Sequence, residues 1–105
     1  MSAPELIPGI SPETASKIIR LAYSLPGVEQ LVLFGSRAKG NYREGSDIDF
    51  AVKGLAIDPA VLNQFYVEYD RLYLPWKVDL ILYSSIELPA LKDHIDRVGR
   101  ILPRL

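Results

Sequence analysis

The stretch L-F-G-S-R-A-K-G-N-Y-R-E-G-S-D-I-D-F, Leu33 to Phe50, joins the end of one apolar run to the start of another, and it sets two aspartates one residue apart where the second run should be apolar. Successive side chains in a strand alternate faces. Asp47 and Asp49 are therefore expected to point the same way, about 7 Å apart at their α-carbons, with Ile48, Phe50 and Val52 facing the core. Like charges at that separation repel and raise each other's pKa, a cost that a divalent cation removes. Carboxylate and phosphate oxygens together suit Mg2+ or Mn2+. A third acid, Asp79, lies inside V-D-L-I-L, where a charge is otherwise unexpected, and a neighbouring strand can aim it at the same point. Three acids and two ions about 3.5–4 Å apart is the usual count for phosphoryl chemistry.

Gly35 and Ser36 follow the first run directly, and R-A-K-G after them is long enough for one helical turn. Such a strand-to-helix corner offers unpaired backbone N–H groups and a hydroxyl to an anion, and glycine lets a phosphate come close to the backbone. Arg37 and Lys39 add positive charge beside it. Side chains on one helical turn point in different directions, so a solvated turn accounts for these two as well as phosphate contact does.

Working outward, Ser11-Pro12 reads as an N-cap followed by proline in the first helical position. Ala15, Ile18, Ile19, Ala22 and Leu25 then recur at helical spacing until Pro26-Gly27. Gln30 to Phe34, Ile48 to Val52 and Lys77 to Tyr83 read as strands. Asp58-Pro59 repeats the cap-and-proline signal ahead of Leu62, Phe65, Tyr69 and Leu72, which predicts a long second helix ending at Pro75. Ser84 or Ser85 is the expected cap of a third helix carrying Leu88, Leu91, Ile95 and Val98, with Pro89 tolerable only in its first turn. The tail from Gly99 is long enough for an edge strand at most.

Composition limits what such a chain can do. Its 105 residues predict one domain, 1–105, with room for one core. With 49% hydrophobic and 24% charged residues and a net charge of −1, nothing marks a polyanion-binding surface, and nucleic acid is not the expected partner. The absence of cysteine excludes a disulfide framework, a thiolate zinc site and a cysteine nucleophile. No run has membrane-spanning length, and M-S-A-P-E-L lacks the basic start and apolar core of a signal peptide, so the expected location is the cytoplasm.

The pattern Gly35-Ser36, ten residues, then Asp47-Ile-Asp49, followed by Asp79 in V-D-L, resembles the nucleotidyltransferase superfamily that includes DNA polymerase beta. More narrowly, G-S-R-A-K-G-x5-S-D-I-D and L-P-W-K-V-D-L resemble the minimal nucleotidyltransferase (MNT) proteins, which work beside a helical HEPN-type or substrate-binding partner. The resemblance runs from the first helix to the C-terminal tail. It implies an α/β fold, a small mixed β-sheet flanked by helices, in which Gly35 and Ser36 hold a nucleoside triphosphate and Asp47, Asp49 and Asp79 bind Mg2+ or Mn2+. It also implies transfer of a nucleoside monophosphate, AMP from ATP in the first instance, to a hydroxyl. A toxin–antitoxin pair in which the antitoxin adenylylates its partner is one form of this; a small-molecule acceptor is another. The rival is a non-catalytic module that binds NTP and metal and neutralises its partner by contact alone.

The remaining chemistry-bearing residues have simpler readings. His94 reads as a surface histidine, Tyr66, Tyr69 and Tyr73 as a core stripe and its edge, Trp76 as the anchor that leads into the third strand, and Ser46 as a strand-leading residue.

Overall fold

The computed structural model describes residues 5–105. Met1 to Pro4, the start of the stretch read above for a leader, lie outside the described residues. Helix α1, Pro12–Tyr23, begins as its sequence predicts: the Ser11 hydroxyl accepts from the Thr14 N–H at 3.4 Å, Pro12 takes the first position, and Ala15, Ile18, Ile19, Ala22 and Tyr23 form the buried face. It is followed by β1 (Gln30–Phe34), α2 (Gly35–Lys39), β2 (Ile48–Lys53), α3 (Val61–Asp70), β3 (Val78–Leu82), α4 (Pro89–Val98) and β4 (Arg100–Leu102).

The strands form one sheet in the order β3-β2-β1-β4. β1 pairs antiparallel with both β2 and β4, whereas β2 and β3 are parallel, so the sheet is mixed. A parallel pair needs a crossover between its strands, and α3 provides it. Strand alternation then sorts the two faces. Leu31, Leu33, Ile48, Phe50, Val52, Val78, Leu80 and Leu82 pack against α1 and against Val61, Phe65 and Tyr69 of α3. Full burial of Phe50 and Phe65 stabilises this layer by roughly 1.5–3 kcal/mol each. Val32, Phe34 and Ala51 face the other way, where α4 covers them with Ile95. Tyr23 fastens layer to sheet: its hydroxyl accepts from the Leu31 N–H at 3.0 Å and donates to the Leu102 carbonyl.

Two helices differ from their sequence pattern. The second is shorter than the span from Asp58-Pro59 to Pro75. Asp58 and Pro59 make a turn in which Asp58 accepts from the N–H groups of Ala60 and Val61, and the helix starts only at Val61. It stops at Asp70 because the chain turns through Leu72 and Tyr73, the latter at φ 51°, and the Tyr69 hydroxyl ties the helix to the Trp76 carbonyl at 2.7 Å. The third helix is not capped by Ser84 or Ser85, which belong to a short 3-10 turn at Tyr83–Ser85. Proline has no N–H and its ring would strike the carbonyl four residues back, so the helix starts at Pro89 itself. Leu88 therefore falls outside the apolar stripe and is exposed. The tail does form an edge strand, β4.

Candidate active site

Asp49 and Asp79 are register partners across the parallel β2–β3 pair, and Asp49 is also opposite Phe34, the last residue of β1. Both carboxylates project from the face that carries Phe34 and Ala51, opposite to the core-facing Ile48, Phe50 and Val52. The Gly35 corner turns directly off β1 beside them. Gly35 has φ +76°, a conformation that L side chains rarely adopt, and a Cβ built there would run into the Asp49 carboxylate. Glycine is thus required twice, for the backbone and for the space that Asp49 occupies. Asp47 lies one residue before β2 and is exposed, while Asp49 and Asp79 are half-buried.

Electrostatics ties the three acids together. The Asp49 carboxyl is raised above the ordinary carboxylate range, first by burial, then by the charge of Asp79 and then by that of Asp47; His94 and Lys77 pull it the other way. The two ion pairs among the described residues, Arg71–Glu68 and Arg97–Asp93, are between exposed side chains and include none of these acids. Among the described residues no three acidic or histidine groups converge into a ready-made metal cluster. The donor set nevertheless suits a hard divalent ion, because it is all oxygen and the charges of Asp79 and Asp47 weigh against that of Asp49.

Ser36 is half-buried in the first turn of α2, and Gly40 caps that turn by donating to the Ser36 carbonyl at 3.0 Å. Arg37 and Lys39 part company. Lys39 is exposed, whereas Arg37 is 1% exposed with its guanidinium bonded to backbone carbonyls of Pro8, Glu44 and Ser46. A cleft of about 340 Å³ opens beside Asp79, walled by Tyr66, Tyr69, Leu74, Trp76 and Lys77. Tyr69 is a structural wall: burial pushes its phenol up to about 12, so it keeps the proton that it donates to Trp76. Tyr66 accepts from the Leu80 N–H at 2.9 Å, and Tyr73 is exposed at its turn.

Two groups near the acids were not singled out as site residues by sequence reasoning. His94 is half-buried, set edge-on against the Phe34 ring with centroids 6.1 Å apart, and close enough to Asp49 to favour its charged form. Its spacing, three residues after Leu91 and four before Val98, was the available signal that it belongs to the packed face. Lys77 gave no such signal, since a lysine flanking a strand is ordinary.

Known proteins resemble the chain in sequence and in fold. Residues 16–104 match the polymerase beta nucleotidyltransferase family. The chain is 35% identical over 82 residues to the "putative protein adenylyltransferase MJ1379" of Methanocaldococcus jannaschii; the match covers 76% of this chain and 79% of that one. Among solved structures, a toxin–antitoxin with AMP-PNP superposes with TM-score 0.67 at 24% identity, covering 87% of this chain and 73% of that one. The MNT antitoxin in a complex with the tri-AMPylated HEPN toxin of Shewanella oneidensis superposes with TM-score 0.63 at 23% identity, covering 89% and 72%. At these identities the structural likenesses establish the fold, a small mixed sheet with helices.

Proposed function

Because this chain belongs to the polymerase beta nucleotidyltransferase family, we propose that it transfers AMP from ATP to a hydroxyl of a separately encoded helical HEPN-type partner, as the antitoxin of a toxin–antitoxin pair. The observation that carries the reading is the register pairing of Asp49 with Asp79 beside a glycine corner that has no room for a side chain. In this reading the chain works as one catalytic domain. No helix of the described residues is long and apolar enough to cross a membrane. Support for the partner comes from relatives of the same fold, one held with AMP-PNP and another beside an AMPylated HEPN toxin.

In this reading Gly35 and Ser36 receive the triphosphate through backbone groups and a hydroxyl, and Lys39 adds charge at the rim. Asp47, Asp49 and Asp79 hold Mg2+ or Mn2+, which when bound supplies positive charge against the phosphates and the leaving pyrophosphate. The acceptor oxygen bonds to the α-phosphorus, the bond from that phosphorus to the β-phosphate oxygen breaks, and the hydroxyl proton leaves towards Asp79 at the cleft. Little covalent chemistry falls to the protein in such a step, so its work is positioning and electrostatics.

The test is incubation of this protein and its co-encoded partner, each purified, with α-labelled ATP and magnesium. Label on the partner supports transfer. Binding of ATP with no label on any acceptor would leave a module that acts by contact alone.

A further inference from the structure

Arg37 is a cation 1% exposed, and among the described residues no carboxylate pairs with it. Burying a charge is costly unless its donors are satisfied, so what satisfies Arg37 shows what it does. Its Nη1 donates to the Pro8 carbonyl at 2.7 Å, Nη2 to the Glu44 and Ser46 carbonyls at 3.2 and 2.9 Å, and Nε to Ser46 again at 3.2 Å. The Tyr42 and Trp76 rings lie 5.2 and 6.0 Å from its guanidinium carbon, and the Trp76 indole N–H donates to the same Glu44 carbonyl at 3.3 Å. Ser46 in turn closes a tight turn with Arg43, accepting at Oγ from the Arg43 N–H at 2.8 Å and donating its own N–H to the Arg43 carbonyl at 3.0 Å.

All these bonds except the one to Pro8 act on the loop that delivers Asp47. Asp49 and Asp79 are placed by the strand ladder, which extends from Ile48 to Lys53 and from Val78 to Leu82. Asp47 stands outside that ladder, and the residue bonded to it, Ser46, gives its carbonyl to two guanidinium donors. We propose that Arg37 is a positioning residue: its fork sets the 42–46 loop and thereby holds the Asp47 carboxylate in register with Asp49 and Asp79, with Trp76 joining that loop to the chain just ahead of β3. The inference rests on the nucleotidyltransferase reading for what Asp47 does, but not for where Arg37 places it. It gives Arg37 a role other than phosphate contact, which would require the guanidinium to abandon three carbonyls.

The experiment compares the parent chain, residues 1–105, with Arg37→Lys, Arg37→Met and Trp76→Phe. Lysine keeps the charge but not the planar fork, and phenylalanine keeps an aromatic ring but not the indole N–H. Two readouts are taken: amide hydrogen exchange across residues 42–47, and Mn2+ affinity by electron paramagnetic resonance. The expected result is faster exchange in 42–47 and, for the Arg37 variants, also beside Pro8, whose carbonyl loses a donor, with unchanged protection at Asp49 and Asp79 and Mn2+ affinity weaker by roughly 10–100-fold in the Arg37 variants, and a smaller loss in the same direction for Trp76→Phe. Exchange and affinity both unchanged in a folded variant would overturn the proposal, as would protection lost equally across β2 and β3. If neither Arg37 variant folds, Trp76→Phe decides by the same criteria. A parent that binds no Mn2+ would count against the functional reading alone, since the exchange pattern still reports on Arg37.

Discussion

At Gly35 an added methyl group meets two obstacles, a left-handed backbone and the Asp49 carboxylate. The first costs about 1–2 kcal/mol, and the second displaces a residue of the proposed metal site. Gly35→Ala is therefore expected to lower the melting temperature and to abolish ATP binding in a calorimetric titration, whereas Ser36→Ala, which removes one hydroxyl, weakens binding only modestly; equal and negligible effects would move the phosphate site elsewhere. Asp49 behaves differently. Its folded pKa lies above the unfolded 3.8, chiefly through burial and then through Asp79 and Asp47. In the window just above 3.8 the folded state thus holds the proton more tightly than the unfolded state, and this group's contribution to stability falls as pH rises through it. Asp49→Asn removes that fall. The variant should melt at or above the parent in apo form near pH 7, lose the stabilisation given by magnesium with ATP, and transfer AMP slower by orders of magnitude. Melting curves at about pH 4 and pH 7 beside a transfer assay check this; a variant that melts lower yet still turns over would remove Asp49 from the site. These two residues also mark what was legible. The acids and the Gly-Ser corner stand out in sequence because charges and glycine in apolar context are costly there. That Asp49 fills the space above Gly35, and that Arg37 faces inward, depended on contacts between segments the sequence leaves unrelated.

Among the elements, β3 is an outer strand of the sheet, on the side of the cleft. An outer strand presents unpaired backbone groups, and the Tyr66 hydroxyl takes up one of them, the Leu80 N–H. Tyr66→Phe leaves the packing but not the bond. It should cost about 1 kcal/mol in denaturant unfolding and speed amide exchange at Leu80 before that at Phe50. Unchanged exchange at Leu80 would mean that the hydroxyl is dispensable. Strand positions were readable because apolar alternation is a local property, and the first helix because cap, proline and stripe agree. The ends of α3 and the start of α4 were less so. A turn at Asp58-Pro59 and a helix cap there share the same residues, and the serines before Pro89 look like caps until the proline's own steric demand is given priority.

The whole molecule leaves apolar surface uncovered: Leu55 is 97% exposed and Tyr73 91%, and a groove of about 390 Å³ runs past Leu62, Ile81, Ile86 and Leu91 beside the outer strand. With a helical partner proposed, the two tagged proteins should co-purify and elute together from a sizing column, and clean separation at micromolar concentration would count against the pair. The sequence by itself determined the strands, the first helix and the strand-to-helix corner and singled out three aspartates, because each is written in local spacing or in a residue type that is costly where it stands. Only the tertiary structure decided that β2 and β3 lie side by side in the register that pairs Asp49 with Asp79, that His94 packs on Phe34, and that Arg37 is buried among carbonyls of the following loop and of the distant Pro8. The physical reason is the same in each case. Strand neighbours and the partners of a buried charge are fixed by how the whole core closes, and no local pattern encodes which segment will supply the other half of the contact.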